Sequence, residues 1–126
     1  MFKKTFLLAL VIMFGFSTLF FAQDMGRMSP EERAKQLTER LNLNKEQAKK
    51  VAEIYTNQQN EMFKIMESGG GFGDETTRTK MTALRDSSNN KIMKLLTAKQ
   101  KIEFKKVLEE QRKRMEEMRR NMGMGN

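Results

Sequence analysis

The sequence predicts an all-α protein whose four helices form two hairpins in a long, thin bundle, and three observations predict it. A single proline, Pro30, occurs among 126 residues, and proline is the residue that most strongly breaks helices. Apolar residues recur at alternating spacings of 3 and 4 along two long stretches, the period of one helical face. Three stretches also begin with a capping side chain followed three residues later by Glu or Gln, the signature of a helix start.

The first helix is expected over residues 30–41. Ser29 can cap it, Glu32 can reach back to the Ser29 backbone, and Pro30 occupies the first helical position, where no N–H is needed. Leu37 and Leu41 stand four apart and stack on its inner side. Asn44 and Gln47 repeat the device for a helix over 45–67. There Ala48, Ala52, Tyr55, Gln59, Met62 and Met66 form a seam that Val51, Ile54 and Ile65 widen. The run from Ser68 to Asp74 contains four glycines and ends that helix.

A third helix follows Asp74, with Glu75 favourable at the positive end of the dipole. Met81, Leu84, Ile92 and Leu95 give it an apolar side, whereas Ser87, Ser88, Asn89 and Asn90 make its middle weak in helix propensity. Thr97 and Gln100 open the fourth helix, over 98–120. Its seam is Phe104, Leu108, Gln111, Met115, Met118 and Met122, and a frayed tail is expected over 121–126.

Composition excludes several functions. The chain has no cysteine and no histidine, so it can hold no disulfide, thiolate metal centre or imidazole base. No catalytic constellation stands out, and the chain reads as a non-enzyme without a cofactor. The glycine run lacks the Lys-Ser/Thr and the preceding strand of a phosphate loop. The net charge is +8, but the basic residues alternate with acids, unlike a nucleic-acid interface.

Residues 1–22 have the form of an export signal, with Lys3 and Lys4 before an apolar run that ends at Ala22. About 16 apolar residues fall short of the roughly 20 that span a bilayer, so export with cleavage near Ala22 is expected. Residues 23–28 then form a flexible N-terminal segment, and the helical domain spans 29–120. The 104 residues after Ala22 carry +6 and hold 16 Leu, Ile, Val and Phe against ten Met. Such a core is thin and adaptable, and a second chain would add to it.

Shifting the second helix by 53 residues superimposes it on the fourth. Leu43 falls on Leu96, Asn44 on Thr97, Gln47 on Gln100, Val51 on Phe104, Tyr55 on Leu108 and Met62 on Met115. A doubled unit of this kind suggests two helical hairpins packed on each other. Leu96-Thr97-Ala98-Lys99-Gln100 resembles the LTxxQ motif of the Spy/CpxP family of small envelope proteins, and Leu43-Asn44-Lys45-Glu46-Gln47 is a variant copy. The resemblance covers residues 29–120.

It implies a periplasmic location and a cradle-like homodimer with ATP-independent chaperone activity toward unfolded or misfolded envelope proteins, or control of a sensor kinase through its periplasmic domain in the envelope stress response. Metal-binding relatives employ histidine, absent here, which argues against a zinc-sensing role. The motif residues Leu43, Asn44, Gln47, Leu96, Thr97 and Gln100 read as structural caps and staples.

A methionine stripe at helical spacing is usually core, and that reading is preferred for Met62, Met66, Met115 and Met118. The sharper reading is a promiscuous client-binding surface, since thioethers repack around many apolar partners. It consists of Met62, Phe63, Met66 and Met81, with Lys64, Arg78, Lys80 and Arg85 supplying charge that steers clients. A third reading makes Met115, Met118, Met122 and Met124 a thioether site for Cu(I) or Ag(I), because soft ligands select soft metals.

Overall fold

The computed structural model describes residues 28–71 and 73–123. The expected export signal, most of the segment at 23–28 and the last three residues lie outside them. Four helices follow in order: α1 (Pro30–Leu41), α2 (Lys45–Ser68), α3 (Glu75–Leu95) and α4 (Ala98–Asn121). The described residues are all-helical apart from short connections.

Each start has the capping geometry its sequence calls for. Glu32 N–H donates to Ser29 Oγ, and Ser29 N–H donates to Glu32 Oε2, both at 3.2 Å. The same reciprocal pair joins Asn44 with Gln47, at 2.8 and 3.1 Å, and Thr97 with Gln100, at 3.3 and 3.0 Å. These bonds satisfy N–H groups that a helix start leaves without partners. Asp74 starts α3 by accepting the Thr77 N–H. The weak middle of α3 stays helical through residues 87–90.

Two connections define the ends of the molecule. Asn42 closes α1 in the left-handed conformation, with φ 54°, which Asn tolerates better than most residues. The turn between α2 and α3 brings Gly69 so close to α3 that a Cβ there would collide with Thr77 Oγ1. Thr77 itself is buried. Gly71, with φ +85°, carries the chain round the turn.

The principal packing joins α1 to α2 and α2 to α3, while α1 crosses α4 over a smaller area. Helix α2 therefore lies centrally, and α3 packs more on α2 than on α4, its partner within the repeat. The core consists of Ala34, Leu37 and Leu41 of α1, Leu43, Val51 and Tyr55, Ile92 and Leu96, and Phe104 and Val107 of α4. All of these lie toward the end that holds the 42–44 and 96–97 connections. Arg33 covers the outer face of the Tyr55 ring at 4.2 Å, a cation–π contact. Arg40 donates to both carboxylate oxygens of Glu110, at 2.8 and 3.1 Å, and so ties α1 to α4.

Away from that end the core thins out. Beyond Tyr55 on α2 and Leu108 on α4, no large apolar side chain is fully buried among the described residues.

Candidate functional site

The two motif copies meet. Gln47 Nε2 donates to Gln100 Oε1 at 2.9 Å, and Gln100 Nε2 donates to Gln47 Oε1 at 3.2 Å. Each amide also donates to a backbone carbonyl: Gln47 to Leu95 at 2.9 Å and Gln100 to Asn42 at 3.4 Å. Leu95 and Asn42 are themselves 53 positions apart, so the bonding has an internal twofold symmetry. With the two cap bonds included, both amide groups use all four of their N–H donors, and each oxygen accepts twice.

Leu43 and Leu96 are buried beside this ring. The two motif glutamines thus do more than cap. They join the repeats across the bundle, and a fully satisfied network of this kind fixes one arrangement. Sequence reasoning assigned the caps and missed the cross-repeat pairing. The signal was present in the equal offset of the two glutamines, which a twofold packing brings face to face.

The expected client-binding residues gather at the other end, on the α2–α3 hairpin. Counting equally back from the turn sets Val51 level with Ile92, Tyr55 with Ser88 and Met62 with Met81, and the first two pairs are buried. Phe63 is 52% exposed, and Lys64, Arg78 and Lys80 of the same hairpin are exposed. Met62, Met66, Met81 and Arg85 are half-buried. Lys64 Nζ donates to Glu61 Oε1 at 2.8 Å, which raises its pKa. Arg85 points toward α4, where its Nη1 donates to Met115 Sδ at 3.4 Å.

The preference for Met115 and Met118 as core is corrected by the structure. They are 51% and 54% exposed, and Met122 is 63% exposed. The cause is geometric: α1 reaches back from the motif end only as far as Pro30 and covers only the first turns of α4, so among the described residues the seam that begins with buried Phe104 continues without a covering helix. Met62 and Met66 are half-buried against α3 rather than enclosed.

Electrostatic shifts follow the ion pairs. The hydrogen-bonded Arg40 guanidinium holds the Glu110 carboxyl below its ordinary range, against a smaller opposing effect of burial. Burial raises the Tyr55 phenol, and Arg33 partly offsets that. On α4 the Arg112 guanidinium is held by Glu109 and by Glu116. Among the described residues, no three His, Cys, Asp or Glu side chains gather where they could hold a metal ion. Met124 of the alternative thioether set lies outside those residues. The recesses between Glu75, Arg78, Thr82 and Asp86 on α3, and between Lys105, Glu109 and Lys113 on α4, are shallow and open to solvent.

No protein-family model, no curated protein and no solved structure matches this chain.

Proposed function

We propose that this chain is an exported, periplasmic protein, cleaved near Ala22, that binds unfolded or misfolded envelope proteins without ATP, as a homodimer. The observation that carries the reading is the exposed Phe63 on a hairpin that also holds half-buried Met62, Met66 and Met81 and exposed Lys64, Arg78 and Lys80. Phe63 offers a rigid apolar face, and the methionines beside it can change rotamer to fit many side chains. The surrounding cations raise the encounter rate with chains that carry acidic segments. The contacts are shallow, so binding is weak and reversible, and release requires no nucleotide. No residue in this reading performs covalent chemistry.

The test is aggregation of a thermally or chemically unfolding client in the presence of the protein and the absence of ATP. Suppression at near-equimolar ratio, weakened when salt screens the cations, supports the reading. Unchanged aggregation at severalfold molar excess overturns it. Light scattering of the protein alone reports whether it is a dimer.

A further inference from the structure

The methionine stripe on α4 touches the expected client-binding residues at Arg85, which donates to Met115, and its remaining length is not used by the client-binding reading. At about 100° per residue, Met115, Met118 and Met122 fall within about 60° of one another, on the line that begins with Phe104. Among the described residues no helix packs over them, and Arg85 of α3 reaches only Met115 at the near end. Beside that stripe runs a second one. Lys101, Lys105, Arg112 and Arg119 fall on a single row along the same flank, and all are exposed. No acidic residue stands between the row and the methionines; Glu109 and Glu116 lie on its far side, where both hold Arg112. Helix α4 as a whole carries nine basic against five acidic residues.

We propose that this face of α4 docks on an anionic lipid surface. The charge pattern selects the occupant. An apolar stripe alone would suit a second copy of the chain, but two copies of this helix, each with nine basic and five acidic residues, repel each other. A bilayer with anionic headgroups meets Lys101, Lys105 and Arg119 with opposite charge, while Glu109 and Glu116 hold Arg112. It also accepts the flexible thioethers at the boundary between headgroups and acyl chains. A helix with a basic flank and a narrow apolar face lies in the plane of such an interface. Arg and Lys stems can lie along the apolar boundary while their charges remain in water. No described helix is long and apolar enough to cross a membrane, so the contact is peripheral. It depends on salt and on lipid charge.

The chain contains no tryptophan, so a single introduced indole reports its own surroundings. In the full chain, Met118→Trp places it on the stripe, and Ile102→Trp places it on the opposite side of the same helix, where Ile102 is 60% exposed. The probes are vesicles of phosphatidylcholine alone and vesicles containing phosphatidylglycerol. The expected result is an emission shift to shorter wavelength for Met118→Trp with the anionic vesicles only, reversed by high salt, and none for Ile102→Trp.

Reversing the row with Lys101→Glu, Lys105→Glu and Arg119→Glu lowers the lipid-dependent signal more than about tenfold. The readout is local to α4, so it holds whatever residues 1–22 do. Equal shifts at both positions, equal shifts with neutral vesicles, or no shift overturn the proposal. A Met118→Trp shift that needs no lipid and grows with protein concentration also overturns it, by assigning the face to a second copy.

Discussion

Phe104 and Met118 lie on the same seam of the same helix, yet Phe104 is 1% exposed and Met118 is 54% exposed. The two ends of the molecule differ in the same way. At the motif end, four helices converge on leucines, a tyrosine and a phenylalanine, and a closed ring of amide bonds joins the repeats. At the other end the bundle is reduced to the α2–α3 hairpin and the far half of α4, with methionines half covered or bare. One periodic pattern therefore serves two purposes. It makes core where a short helix is present to cover it, and it makes surface where that helix has ended. The 12-residue length of α1 decides which.

Substitution can break that contrast most strongly at the packed end. Phe104→Ala should cost about 3–5 kcal/mol of unfolding free energy, because it removes buried area and leaves a cavity. Met118→Ala should stay within about 0.5 kcal/mol, and chemical denaturation of the two variants compares them directly. Similar losses at both sites would mean that the seam is covered along its whole length.

The amide ring sharpens the comparison. Gln47→Leu leaves buried or partly buried partners without their bonds and should cost about 1–3 kcal/mol. Gln100→Leu alone should cost a similar amount. The double variant should cost clearly less than the sum of the two, since each loss already spoils the same ring. Additive losses would reduce the glutamines to independent caps.

At the far end the turn is constrained by close approach rather than by a large core. Gly69→Ala should cost about 1–3 kcal/mol by forcing a methyl into Thr77. Adding Thr77→Ala should recover part of that loss, because the remaining Thr77 side-chain atom lies 3.7 Å from the new methyl position. Thermal melts of the single and double variants measure the recovery.

The smallest expected effect concerns pH. The folded Glu110 carboxyl titrates below its unfolded value because Arg40 holds it charged. The stabilisation is therefore complete above the ordinary carboxylate pKa and is lost as pH falls through the lowered folded value. About half of the Glu110 side chain is open to solvent, so the pair is worth no more than about 1 kcal/mol. Glu110→Gln should flatten the acid limb of the stability curve by that small amount, and an unchanged limb would assign the acid sensitivity elsewhere.

Much of this fold was legible in the sequence, because its punctuation is local. Ser29, Asn44 and Thr97 each announce a helix start with their partner three residues on, and the glycines after Ser68 announce the main turn. The middle of α3 is helical despite Ser87 to Asn90 because tertiary packing overrides propensity. Small Ser88 is buried level with Tyr55.

Less legible was where the seams stop being core. Periodicity records which face is apolar and contains no information about the length of the neighbour that covers it, so Met115 and Met118 looked like Phe104. The cross-repeat bonding of Gln47 with Gln100 was hidden for a related reason. A glutamine that completes a capping box has spare donors, and only the packing of two such boxes shows where they go. For the candidate binding surface, the sequence named the residues, and the structure puts them on the α2–α3 hairpin outside the packed core.

The central claim is that binding belongs to the thin end and stability to the packed end. Methyl NMR of the chain titrated with an unfolded client tests this most directly. The account predicts shifts or broadening at Met62, Met66 and Met81, with Leu37, Leu41 and Val107 unmoved. Perturbation confined to the leucines and valine of the motif end, or none anywhere at saturating client, would contradict it.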